Sequence, residues 1–257
     1  MQITTDTSQI KDLLINAQKI LIATRQNPSI DGIGSMLALG DILKKQDKTV
    51  TCLSEQFNQE KIAFLPGSDT IQTKLPPKSL IVSIDLKGNP IEKINYETKD
   101  GKLDLIITPK QGEISAESIE FLETNLNYDL VVTLGTEELS LLGQIAQIHR
   151  QGLEKTAILN IDANAKNSQY GKINFIDETC SSTAEALFSL LTNLGFTVEK
   201  EAATALLAGI IEKTQSFKKK VTAQTFATAS QLTQLGADLE IINKNIEQET
   251  TEQPFIR

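Results

Sequence analysis

The residues able to do chemistry gather in three short runs. Arg25-Gln26-Asn27-Pro28-Ser29-Ile30-Asp31-Gly32-Ile33-Gly34-Ser35 follows an apolar stretch and sets a cation, a hydroxyl and a carboxylate around a turn. Asn160-Ile161-Asp162-Ala163-Asn164 ends a second apolar stretch in a carboxylate. Glu212-Lys213-Thr214-Gln215-Ser216-Phe217 closes a helical pattern and leads into Lys218-Lys219-Lys220. Clustered carboxylates and imidazoles would build a divalent-cation site, and clustered cations would hold phosphate. The chain contains a single histidine, His149, so any mechanism that needs two is excluded. His149 lies outside the three runs, beside Arg150, and reads as a surface or helix-end residue. Gly32 and Gly34 form a bare GxG, a weak nucleotide signal better explained by helix packing against a strand. Ser182-Thr183-Ala184-Glu185 has the spacing of a capping box, although the same free amides could meet an anion.

Composition narrows the classes. The 257 residues, 40% hydrophobic and 23% charged, suffice for a full core. A net charge of −8 argues against broad attraction to nucleic acid, leaving room only for a local basic patch. Cys52 and Cys180 show no CxxC or Cys/His spacing and read as buried or half-buried thiols. Apolar runs such as Leu80 to Ile84 fall far short of the roughly 20 residues of a membrane span. The polar start, Met1 to Gln9, has no secretory pattern, and a cytoplasmic location is expected.

The elements that must position these runs alternate between strand and helix. Apolar spacing predicts a helix over Asp6 to Lys19, a strand over Ile20 to Thr24 and a helix from Asp31 to about Lys45, followed by a strand over Thr49 to Ser54. Asp129 to Leu134 and Thr156 to Ile161 read as later strands, with a helix over Glu137 to Arg150 between them. Further helices are predicted near Ser182 to Leu194, Glu199 to Glu212, Ala223 to Leu235 and Ala237 to Ile246. This rhythm predicts an α/β domain over residues 1–246, with a parallel sheet flanked by helices and ligands at the carboxyl ends of its strands. Three strands over Ser79 to Asp85, Ile91 to Glu97 and Leu103 to Thr108 break it, giving a β-rich insertion over residues 76–113 with a turn at Lys99-Asp100-Gly101. Residues 247–257 read as a polar tail in which Phe255 and Ile256 call for cover.

The first run resembles the opening motif of the DHH-family phosphoesterases, His-x-Asn-Pro-Asp-Gly-Asp followed by Gly-Ser. Tyr170-Gly171-Lys172-Ile173-Asn174, Ser181-Ser182-Thr183-Ala184-Glu185, Leu207-Ala208-Gly209-Ile210, Ser216-Phe217 and Leu235-Gly236-Ala237-Asp238-Leu239 are similar in order and spacing to the oligoribonuclease-like branch, the nanoRNases. The resemblance implies the N-terminal α/β fold of that family and, in active members, divalent metals such as manganese. Its ligand positions are largely altered here. The first histidine falls on Arg25, the first aspartate on Ser29, the next on Asp31, another on Gly135, the Asp-His-His signature on Asp162-Ala163-Asn164, and a last aspartate on Lys213. Asp31 is the one expected ligand that remains. The sequence ends at Arg257 without the Gly-Gly-Gly-His substrate loop of the family, so the usual oligonucleotide clamp is expected to be missing.

These readings lead to the expectation of a catalytically inactive DHH-fold protein, a binding or assembly module with no cofactor. Arg25, Ser182, Lys213 and Lys218 are its possible anion-binding residues. Arg25 and Lys213 are expected to neutralise Asp31 and Asp162 in a metal-free ion-pair network. The rival readings are a manganese-dependent phosphodiesterase or phosphatase with a rearranged set, Asp31, Asp162, Glu137 and Glu138, and a non-cleaving RNA-binding protein. Expected partners are a second copy of the chain, through the insertion or the tail, and weakly a nucleotide or short RNA, with no membrane.

Overall fold

A computed structural model describes residues 7–75, 80–123 and 126–246. The larger of its two compact units begins with α1 (Thr7–Asn16), β1 (Lys19–Thr24), α2 (Ile30–Lys44), β2 (Thr49–Leu53) and the short α3 (Gln59–Ile62). The smaller, Pro76–Asn125, holds β3 (Leu80–Ile84), β4 (Ile91–Lys99), β5 (Lys102–Pro109) and β6 (Ile119–Glu123). The larger resumes with β7 (Leu130–Leu134), α4 (Gln144–Ile148), α5 (Arg150–Lys155), β8 (Ala157–Asp162) and β9 (Ile173–Ile176). It closes with α6 (Thr183–Leu194), α7 (Lys200–Lys213), α8 (Ala223–Gln234) and α9 (Leu239–Ile246).

The larger unit is built on a five-stranded, all-parallel sheet in the order β2-β1-β7-β8-β9. Both faces are covered, which is why the central strands read as continuous apolar runs rather than alternating ones. Ile20 and Ile22 of β1, Leu130 and Val132 of β7, and Leu159 of β8 face one core, shared with α1, α2, α6 and α7. Leu21 and Ala23, Val131, and Ile158 face the other, with Leu142, Ile145 and Leu153. The chain runs from β1 out to β2 and later returns to β1's other side as β7, so strand order reverses between β1 and β7. Such a reversal opens a crevice at the carboxyl ends of the strands.

Several expectations are corrected. The helix predicted over Glu137 to Arg150 is broken into a 3₁₀ turn at Leu139–Leu142 and the short helices α4 and α5, because Gly143 takes φ +70°. His149 sits at the α4–α5 junction and is buried rather than on the surface. Strand β9 was not foreseen; its four residues are half-buried at the sheet edge, too short for a clear alternation. The insertion reaches beyond residue 113 to 125, because β6 pairs antiparallel with β3. The hairpin turn lies where the sequence put it, with Asp100 at φ +51° and Gly101 at φ +74° between β4 and β5. The tail over residues 247–257, including Phe255 and Ile256, lies outside the described residues.

Gly32 packs against β1, but Gly34 packs against a helix. A Cβ at Gly34 would stand 2.3 Å from the Ala205 carbonyl oxygen of α7, and one at Gly209 would stand 3.0 Å from the Asp31 Cα of α2. Small residues on both helices let their backbones approach closely, which seats the first turn of α2 deep in the core. Gly34→Ala should lower stability by about 3 kcal/mol, the upper part of the usual overpacking range, as read from urea unfolding.

Candidate functional site

At the reversal between β1 and β7 lies a cavity of about 240 Å³. Thr24 and Arg25 reach it from the end of β1, Gly135 and Glu137 from the loop after β7, and Asp162, Ala163 and Asn164 from the end of β8. Ser29 and Asp31 enter from the start of α2, Ser182 and Thr183 from the start of α6, and Lys213 and Lys220 from the end of α7 and the turn beyond. The structure thus brings together Arg25, Ser29, Asp31, Gly135, Asp162, Ala163, Asn164, Ser182 and Lys213, which are scattered along nearly 190 residues of chain. Lys218 does not line the cavity; Lys220 does. Gln215, Ser216 and Phe217 all take left-handed φ, at 52°, 57° and 61°, and Lys220 does so at 53°, a path no helix or strand pattern announces.

The local chemistry explains the positions one by one. Ser29 is the N-cap of α2 and accepts from the Gly32 amide at 3.4 Å. Asp31 is 2% exposed, and its oxygens accept from the Thr183 amide at 3.0 Å and the Ala184 amide at 2.8 Å. One buried carboxylate therefore lies between the N-termini of α2 and α6, where helix dipoles favour negative charge. Gly135 takes φ +56°, and a Cβ there would stand 3.2 Å from Thr183 Oγ1, so this turn favours glycine. Ser182 caps α6 by accepting from the Glu185 amide at 3.1 Å. Glu185 reaches back to Ser181 rather than to Ser182, accepting from its amide and hydroxyl, and also takes the Thr225 hydroxyl at 3.0 Å. This is half a capping box extended into a buried network.

The expected ion-pair network is corrected. Arg25 pairs with Glu137 at 2.9 Å, and among the described residues Lys213 forms no ion pair with Asp31 or Asp162. The reason is that neutral donors already serve both acids. Asp162 accepts from the Ala163 amide at 2.7 Å, Asn167 Nδ2 at 2.9 Å and the Thr183 hydroxyl at 3.3 Å. A cation drawn in to join them would carry a desolvation cost, and Arg25 meets Glu137 while keeping 38% of its side chain in solvent. Glu137 also accepts from Asn164 Nδ2 at 2.9 Å. Burial pushes the Asp31 carboxyl up to about 6, against the lowering effect of the two amides and the Lys213 charge. Burial likewise raises Asp162.

Sequence reasoning overlooked the polar scaffold beneath Asp162. Asn160 Nδ2 donates to Asn167 Oδ1 at 2.7 Å and to Asn174 Oδ1 at 3.1 Å, and the Tyr170 hydroxyl donates to Thr133 at 2.7 Å. The available signal was Asn160 itself, a fully buried amide inside the apolar run of β8.

The donor set does not fit the divalent metals of active DHH phosphoesterases. Every oxygen of Asp31, Asp162 and Glu137 carries a protein hydrogen bond, and among the described residues no group of three His, Cys, Asp or Glu could hold a metal ion. Among the described residues, no helix is long and apolar enough to cross a membrane.

Comparison with known proteins supplies the lineage of this cleft. The model of the DHH family, N-terminal domain, matches residues 19–210. The chain belongs to the DHH family. It is 25% identical over 251 residues to the cyclic-di-AMP phosphodiesterase PdeA of Listeria monocytogenes, covering 94% of this chain and 32% of PdeA. It is also 30% identical over 125 residues to "Uncharacterized protein MG371" of Mycoplasma genitalium, covering 47% of this chain and 37% of that protein. The chain thus spans about a third of the length of these two curated relatives. Among solved structures, an exopolyphosphatase-related protein from Bacteroides fragilis superimposes with a TM-score of 0.70 at 18% identity, over 94% of this chain and 60% of that one. The last likeness shows a shared fold.

A carboxyl whose folded pKa is raised holds its proton between about pH 4 and 6 while the unfolded chain has lost it. Its contribution to stability is therefore present below about pH 4, falls as pH rises to about 6 and is level above. The stability difference between wild type and Asp31→Asn should shift by roughly 3 kcal/mol across this window, measured by urea unfolding at pH 4 and pH 7. The Asp31 carboxyl resonance should titrate near 6.

Proposed function

We propose that this chain is a non-hydrolytic DHH-fold binding module that uses the cleft to hold a phosphate-bearing ligand, such as a nucleotide or the end of a short RNA. The observation that carries this reading is the engagement of all the carboxylate oxygens in the cleft by protein donors, with Lys213 and Lys220 at its wall. A metal would compete with the backbone amides that already serve Asp31 and with Arg25 at Glu137, and would lie close to the Lys213 charge. A phosphate group suits the same walls, because lysine ammonium groups attract it without reorganising the acids.

The similarity to a cyclic-di-AMP phosphodiesterase along 94% of the chain favours a second reading, hydrolysis by a rearranged set. The set expected from the sequence is Asp31, Asp162, Glu137 and Glu138. Glu138 does not line the cavity and instead accepts from the Ser140 hydroxyl at 3.3 Å.

Two measurements separate the readings. Titration calorimetry with manganese should show no micromolar site, and short RNA, cyclic dinucleotides and 3′-phosphoadenosine phosphate should survive incubation with the protein as they survive a blank. Metal-stimulated turnover that disappears in Asp31→Asn would establish the second reading. Binding of a nucleotide or short RNA should weaken with salt, and Lys213→Ala with Lys220→Ala should lower the affinity by about tenfold, the scale of one charge-assisted hydrogen bond.

A further inference from the structure

The insertion contains a ribbon that its own sequence leaves unfinished. Among the described residues, strands β4 and β5 pair only with each other, in the register Ile94↔Ile107, Tyr96↔Leu105 and Thr98↔Leu103. These residues share one face, on which Ile94 is 61%, Tyr96 74%, Leu103 61% and Leu105 49% exposed. The other face carries Lys93, Asn95, Glu97 and Lys99 against Thr108, Ile106, Asp104 and Lys102. Two of its cross-strand pairs, Glu97↔Asp104 and Lys99↔Lys102, oppose like charges, an arrangement that weakens a hairpin. Two strands with an open apolar face are at best marginal in water.

The backbone says which edge is free. A two-residue turn makes Lys99 and Lys102 a hydrogen-bonded pair. Glu97, Asn95 and Lys93 then also direct their amides and carbonyls at β5, while Thr98, Tyr96 and Ile94 direct theirs outward. An antiparallel neighbour must bond to these outward groups, and β4 itself can supply them. When two copies of β4 meet about a two-fold axis at Asn95, Ile94 falls opposite the second copy's Tyr96 and the pair exchanges both backbone bonds. Lys93 then falls opposite the second copy's Glu97, twice by symmetry, in the close side-chain positions of a non-hydrogen-bonded pair. Neighbouring registers lack this match. An axis at Tyr96 opposes Lys93 to Lys99, and an axis at Ile94 leaves Lys93 opposite Asn95. The edge of β5 ends in Pro109, which has no amide to give, and has opposite charges only beside the turn at Lys102 and Asp104.

We infer that the chain forms a homodimer by antiparallel pairing of β4 with β4 of a second copy about Asn95, making a four-stranded sheet β5-β4-β4-β5. The charge pattern of β4 is self-complementary at that register, and the pairing gives Glu97 a cation to offset Asp104. The four strands carry Ile94, Tyr96, Leu103, Leu105 and Ile107 from both copies on one continuous face, above the three-strand minimum for independent stability.

Sedimentation velocity of the full chain should show a dimer. Lys93→Glu should raise the dimer dissociation constant by about tenfold, since it sets like charges opposite each other at both symmetry-related positions. Adding Glu97→Lys should restore it, because the swapped pair is again complementary. Ile94→Pro, which removes only an outward amide, should leave the circular dichroism spectrum intact and give a monomer. Asn95→Cys should form a symmetric disulfide on mild oxidation, because Cα atoms about 4.5 Å apart lie within disulfide reach, whereas Thr98→Cys should not. A wild type that is monomeric at every concentration overturns the inference. So does a dimer that survives Ile94→Pro and gives no Asn95→Cys cross-link, since it would use another surface.

Discussion

The cleft depends on how one buried carboxylate is kept. Asp31 lies in the first turn of α2, and the first amides of α6 close on its two oxygens. A charge in that position is expensive to desolvate, and it persists because two helix N-termini converge on it and supply fixed donors. Its placement requires the backbones of α2 and α7 to approach until Gly34 and Gly209 are nearly in contact with the opposite helix. It also requires Gly135 to turn through a left-handed conformation beneath Thr183. The glycines, the cap residues and the strand reversal all serve the same few ångströms.

That arrangement accounts for altered positions that are otherwise unrelated in sequence. Where the resemblance expects metal ligands, Ser29 caps a helix, Gly135 makes a turn, and Arg25 ties the β1 end to Glu137. Asp162 is served by a different set of donors, from Asn167, Ala163 and Thr183.

The smaller unit follows a different logic. Its strands are amphipathic rather than doubly buried, and Leu80, Phe121, Ile94 and Tyr96 are exposed within it. A face of this kind has meaning only in relation to something that covers or extends it.

Much of the fold was legible in the sequence because the larger unit obeys simple periodicities. Runs of four or five apolar residues mark strands buried on both faces, and helical spacing marks α1, α2, α6 and α7. The turn at Asp100-Gly101 was legible because few residues tolerate left-handed backbone there. The membership of the cleft was legible too, since strand ends of a parallel sheet converge and a known motif order names the positions. Local patterns could not reveal pairings that depend on contact across the chain. The sequence showed Arg25, Lys213, Asp31 and Asp162 as two cations and two acids, and simple charge matching paired them. Only the tertiary structure decided that backbone amides and an asparagine reach the acids first, leaving Arg25 for Glu137. The same holds for Lys220 displacing Lys218 and for β6 pairing with β3. Periodicity is a property of neighbours in sequence, whereas the partner of a buried charge is set by which donor the folded backbone brings within about 3 Å of it.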